Sequence, residues 1–371
     1  MSVTPSIHAL LGTLREAEES EAERTIDALI ARGKAVWPEL SAAISEVRGD
    51  STDMVWSLRL QRVYVALPAP LDAQLLFAST AKQWSAARFV DVLVFNRVEE
   101  VVASSLRFLR SEHATEREVG VSLLHQLVPR FGAMRYNTVE ARVTLDRSAE
   151  AVLAEALRRG EDAYVIAQIL IRHGWMVDEA LAALRDAVED RLRRDQQVKP
   201  DDVDGLSYDL GCDLQVVATT LLHAGDAAQA HVDLFDQMYE GGDGPLRSVV
   251  LESIAGVGGE ASLACVRRWM LAYPEYRTKL AASLPSYEVG FRLGLDAALA
   301  LLEGRPGAQI IEALLPRAHT SIFAGHTLHR FFLRVHATDP DGVEAFLRQA
   351  SRSEVEELAR SAEMLLDLLD D

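Results

Sequence analysis

The chain has 371 residues, of which 49% are hydrophobic, and a formal net charge of −18. That apolar content suffices for a continuous core and excludes wholesale disorder. The acidic balance argues against nucleic acid and anionic membranes as partners, since both demand clustered Lys and Arg, and it suits solubility or a basic protein partner.

Ala, Leu, Glu and Arg dominate, which favours helix throughout. Four lysines (Lys34, Lys82, Lys199 and Lys279) stand among 38 basic residues, so 34 are arginines. With abundant Ala, this bias reads as a mark of a GC-rich bacterial genome and carries no function. Cys212 and Cys265 sit in unremarkable neighbourhoods and fit a reducing cytosol, with a single disulfide left open. The N-terminus lacks a basic region and a cleavage site, and no apolar run approaches the roughly 18 residues of a membrane helix. A cytoplasmic protein is expected.

In chain order, the first helix is predicted from Pro5, capped by Thr4 or Ser6, through Leu14. An acidic stretch, residues 16–23, reads as a solvated helix end. Helical runs follow at 25–31, 37–47 and 54–66, broken at Gly33 and at the 49–52 turn. Pro68 and Pro70 end the last of these, and 71–79 is its partner. Further runs are predicted at 86–95, 98–109, 115–131, 148–157, 163–172, 178–194, 213–223 and 228–239. Residues 246–257 and 261–270 form a helical hairpin about the break Gly258-Gly259. Pro274, Pro285, Gly304, Pro316 and Asp339-Pro340 punctuate the remainder, and an acidic amphipathic helix spans 353–371. Two irregular insertions interrupt the series. One lies near 133–147, where Val139, Ala141, Val143 and Leu145 alternate, and the other near 195–211.

The breaks fall near residues 33, 68, 96, 132, 174, 225, 258, 305 and 339. Their mean spacing, about 38 residues, is that of helical-pair repeats. Aligned on Gly132, Gly174, Gly225 and Gly258, the fourth residue before each glycine is Val128, Leu170, Leu221 and Ile254. The eighth is Leu124, Ile166, Val217 and Val250. All eight are apolar on one helix face that ends at a glycine cap. A helix pair cannot bury such a face alone, so repeats must stack.

Asp243-x-Pro245-Leu246-Arg247, followed by Glu252 and Gly258, resembles a HEAT repeat of the bacterial variety. The resemblance is specific over 243–270 and one of pattern over most of the remaining chain. It implies an all-α, right-handed α-solenoid of about nine HEAT-like helix pairs, forming a single array over residues 1–371. It also implies that Asp243 and Arg247 support stacking of neighbouring repeats, and that the protein binds another protein rather than catalysing a reaction. The 34-residue period and signature of tetratricopeptide repeats are absent.

Three groups are candidate sites. His319, His326, His329 and His336 fall on one stripe if their helix is continuous, but no metal-binding motif accompanies them, so no metal or cofactor is expected. The loop carrying Asp201, Asp202, Asp204 and Asp209 begins like a calcium loop but lacks the closing carboxylates, and it is a candidate partner contact. Trp269, Tyr273, Tyr276, Tyr287 and Phe291 are either inter-repeat core or partner anchors. No nucleophile elbow, phosphate loop or dinucleotide fingerprint is present. The expected function is therefore a scaffold, adaptor or regulatory subunit. An acidic inhibitor or immunity-type protein blocking a basic effector is the alternative, and a HEAT-like enzyme the second.

Overall fold

The computed structural model describes residues 5–47, 54–67, 97–128, 145–198, 207–242, 244–281, 285–318 and 322–370. These are 87% helical and contain no strand. They gather into two compact units that divide within one helix, between Ile166 and Ala167.

In the first unit, α1 (Ile7–Glu16) starts at Ser6, whose hydroxyl accepts from the Ala9 N–H at 3.1 Å. The acidic stretch is not one helix end. The chain breaks at Ala17 and Glu18, and α2 (Glu19–Ala31) opens with Glu19 and Glu21, where the helix dipole favours acids. Gly33, at φ 59°, leads through one 3-10 turn into α3 (Trp37–Glu46), which carries Pro38 in its first turn. Helix α4 (Met54–Ala66) packs on α1, α2 and α3. Helices α5 (Val98–Leu109) and α6 (Ala114–Leu127) form a hairpin closed at Gly120. A Cβ there would lie 2.9 Å from the Ser105 carbonyl and 3.1 Å from the Phe108 Cβ, so only glycine permits this approach. Helix α7 (Ser148–Arg158) packs on α5.

Helix α8 (Ala163–Arg172) bridges the division. The second unit continues with α9 (Val177–Val198), α10 (Tyr208–His223), a 3-10 segment (Gly225–His231), α11 (Val232–Gly241), α12 (Gly244–Val257) and α13 (Gly259–Ala281). It ends with α14 (Pro285–Leu302), α15 (Gly307–Ala318), α16 (Ile322–Thr338), α17 (Pro340–Ala350) and α18 (Glu356–Asp370). Helices α10, α12, α14 and α16 stack in succession, while α11 packs on α13 and α15 on α17. This alternation is that of an α-solenoid, in which each helix pair buries its apolar face on its neighbours. The described members of the two apolar columns bear it out: all eight residues from Leu124 to Ile254 are buried. The glycines end their helices as predicted. Gly174, at φ 68°, donates to the Ile171 carbonyl while Trp175 donates to that of Leu170, and Gly304 and Arg305 repeat the pattern on Leu301 and Ala300.

Several boundaries differ from expectation. Helix α9 runs on to Val198 and α10 begins at Tyr208, so helix takes up both ends of the 195–211 insertion. Pro274 does not end a helix. Helix α13 continues past it to Ala281 and packs against α11 and α14. Pro285, by contrast, opens α14, where a missing N–H costs nothing. The helices predicted at 71–79 and 86–95, and the 133–147 insertion up to residue 144, lie outside the described residues.

One device recurs at the helix ends. Arg59 donates to the Leu14 carbonyl at the end of α1 (2.8 Å), and Arg159 to the Leu109 carbonyl at the end of α5 (2.6 Å). Arg247 donates to the Tyr239 and Glu240 carbonyls at the end of α11 (2.8 and 3.3 Å). The last carbonyls of a helix lack intrahelical partners and carry its negative pole, and a guanidinium fork answers both needs.

Candidate functional site

Two of the predicted aromatics, Trp269 and Phe291, are core. Trp269 and Phe291 are 1% and 2% exposed, so they present no surface to a partner. Trp269 stacks on Tyr239 with ring centroids 3.8 Å apart and donates its indole N–H to Asp236 at 2.7 Å. Phe291 stacks on Tyr239 and on Tyr273, both at 5.7 Å. The Arg247 guanidinium lies over the rings of Tyr239 and Phe291, at 5.5 and 5.7 Å. Arg247 thus ties α11, α12 and α14 together, the stacking role expected for it. Tyr273 is partly exposed, with Arg292 over its ring at 5.1 Å. The side chains of Tyr276, Tyr287, Asp209, His319 and His326, and residues Asp201, Asp202, Asp204 and Asp243, lie outside what is described.

Neither cysteine is in a disulfide. Cys212 is exposed, and Cys265 is buried beside Asp236, where burial first and that carboxylate second push its thiol up to about 12. Such a thiol is no nucleophile at neutral pH. Of the four histidines, His336 lies 3.4 Å from Glu344 through Nε2. Among the described residues, no group of three His, Cys, Asp or Glu side chains is arranged to hold a metal ion.

A different set of side chains converges at the C-terminal halves of the stacked helices. Counted back from Gly174, Gly225 and Gly258, the sixth residues are Gln168, Thr219 and Glu252. The second residues are Arg172, His223 and Gly256. The four-residue interval puts each pair on one helix face. From α8, Arg172 crosses to α10. Its Nε donates to Thr220 Oγ1 at 2.8 Å, and its Nη2 to the Val216 carbonyl at 3.1 Å and to Thr219 Oγ1 at 3.3 Å. Thr220 in turn donates to Gln168 Oε1 at 3.1 Å, which returns the contact to α8. Burial pulls the Arg172 guanidinium down to about 10, still well above neutrality.

Two more arginines arrive from α16. Arg330 Nη1 and Arg334 Nε lie 3.5 and 3.7 Å from the carboxylate of Glu252, which is 2% exposed. Burial holds the Glu252 carboxyl above the usual carboxylate range even though both arginines oppose the shift. The contacts are long for charge-assisted hydrogen bonds, which explains why desolvation prevails. The Arg334 guanidinium lies against α12 at Gly256. A Cβ there would overlap Arg334 Nη1 and Leu222 Cδ1, so the glycine is what admits the side chain.

His223 closes α10 within this group. Burial, then Arg172, Arg334 and His173, depress it to about 4, so its imidazole is neutral at physiological pH. The carbonyl end of its own helix would act the other way. Burial is the larger cause of the depression, and the neighbouring cations add to it. Arg330 and Arg334 thus face the buried Glu252, while Arg172 lies among the hydroxyls of α10, in a chain of net charge −18. Guanidinium, imidazole and hydroxyl groups are the donors an oxyanion requires.

Sequence reasoning missed this group because it followed the apolar columns at the fourth and eighth positions. The signal lay two residues away, in the polar columns of the same alignment. Arg330 and Arg334 carry no such mark, since only the fold brings α16 against α12.

The chain is an all-α protein with an α-solenoid in its second unit. No protein-family model matches its sequence, and neither a curated protein nor a solved structure shows significant similarity to it. Among the described residues, no helix is long and apolar enough to cross a membrane.

Proposed function

We propose that this chain is a non-catalytic, HEAT-like protein-binding solenoid, acting as a scaffold, adaptor or regulatory subunit in the cytoplasm. One observation carries the reading: polar side chains stand in register on successive helices, at 168 and 172, 219 and 223, and 252. A repeat core needs apolar residues, so an in-register polar column marks a face built for something other than stacking. The net charge of −18 favours a basic partner by raising its rate of encounter. The same charge favours a second reading, an acidic inhibitor that blocks a basic effector.

The test begins with affinity capture from native lysate at low and moderate salt. The captured protein is then bound to the purified chain by calorimetry. A 1:1 complex that weakens at least about tenfold in His223→Glu supports the proposal. A complex indifferent to that substitution, or turnover of a small molecule by the purified chain, overturns it. Loss of the partner's own activity in the complex selects the inhibitor.

A further inference from the structure

We infer that Glu252 is a proton-dependent latch, which fastens α16 to α12 across the intervening α14 and loosens as the carboxyl gives up its proton. In a stack of helix pairs each helix meets its immediate neighbours. Here α12 also touches α16, two places further along the stack. Both helices crowd α14 at one point. A Cβ at Gly294 of α14 would lie 3.1 Å from Leu251 Cδ1 of α12 and 3.3 Å from Thr327 Cγ2 of α16. Thr327, Arg330 and Arg334 fall at helical spacing on one face of α16. The face that meets Gly294 therefore also carries both guanidiniums towards Glu252, the residue after Leu251.

The chemistry of the latch follows from burial. The Glu252 carboxyl is 2% exposed, and its contacts of 3.5 and 3.7 Å with Arg330 and Arg334 exceed the roughly 2.7–2.9 Å of a charge-assisted hydrogen bond. Contacts of that length do not offset the hydration that an ionised carboxylate loses. Burial accordingly outweighs Arg334 and Arg330 and holds the carboxyl above the ordinary carboxylate range. These two are the charges that act on it among the described residues, and none from α10, α11, α13, α14 or the 3-10 segment joins them. His223 of α10 acts on the same group through Arg334. When α16 lifts from α12, water reaches Glu252 and its ordinary acidity returns. The closed arrangement thus binds the proton more tightly than the open one. Between those two values each unit rise in pH favours opening by about tenfold, and the effect levels off above the closed value.

The latch is independent of the protein-binding reading, since its test needs no partner. The experiment is hydrogen exchange on the purified full chain from about pH 4 to about pH 8, with rates corrected for the intrinsic pH dependence of exchange. The natural chain is compared with Glu252→Gln, which has the same shape and does not titrate. Protection of the α16 amides around Phe331 should fall with rising pH in the natural chain, by up to about tenfold per unit relative to the variant, while α9 keeps its protection in both. The comparison cancels the titration of His223, which both chains share. Arg334→Gln is the second variant, and it serves even where Glu252→Gln fails to fold. It removes a charge that opposes the shift, so its loss of protection should continue to higher pH than in the natural chain. The same pH dependence in natural and Glu252→Gln chains overturns the latch. So does protection that rises with pH, which would mean that the guanidiniums close onto the carboxylate, or an equal fall in α9, which would mark unfolding of the whole unit.

Discussion

Two regions of the second unit use arginine in opposite ways. Around Trp269, the buried Arg247 donates to two helix-end carbonyls and lies against two rings. Its charge is answered by the negative pole of α11 and by ring quadrupoles. At the end of α10, Arg172 and Arg334 act together on a histidine that burial and positive charge keep neutral. The first arrangement consumes its cation internally, as Arg59 and Arg159 do in the first unit. The second sets its cations beside a partly exposed histidine and a buried carboxylate. Burial and abundance alone do not distinguish a structural arginine from a binding one. What its donors reach, and the sign of its neighbours, do.

The largest effect should come from the structural region. Trp269→Ala removes a stacked ring and leaves Asp236 without its indole donor, and it should cost about 3–5 kcal/mol in urea unfolding. Arg247→Ala comes next. Two carbonyls lose their donor, for about 2–3 kcal/mol in urea unfolding. An unchanged stability in Arg247→Ala would erase the contrast between the two regions.

The third effect depends on pH. His223 titrates near 6.5 when unfolded and near 4 when folded. Between those values the unfolded chain takes up a proton that the native chain refuses, so stability falls as pH drops through the window. Glu252, raised in the native state, works in the opposite direction, since its contribution is lost as pH rises through its folded value. Comparing natural and His223→Gln chains by urea unfolding from pH 7 to 4 isolates the histidine. The substituted chain should lose less stability on acidification, and equal losses would mean that His223 is not depressed in the folded chain.

Much of the helical order is legible in the sequence. Helices at 54–66, 98–109 and 163–172 fall on their predicted bounds. The apolar columns at the fourth and eighth positions are buried throughout the described residues. Breaks carrying glycine at positive φ are equally plain, because left-handed backbone selects glycine whatever surrounds it. Pro274 misleads because proline's local cost does not by itself decide a helix that also has tertiary contacts, here to α11 and α14. The aromatics leave two uses open. Trp, Tyr and Phe at these spacings serve an interface or a core equally well, and only burial separates the two uses.

The sequence by itself determined that this protein is helical, that its helices come in stacking pairs, and where many of them end. Those outcomes follow from propensity, periodicity and glycine's backbone freedom, all local properties. Only the tertiary structure decided which arginines meet helix ends and which gather near His223 and Glu252. Arg172 and Arg334 belong to helices far apart along the chain. Whether their charges combine depends on the distance and the burial between them, which no local pattern encodes.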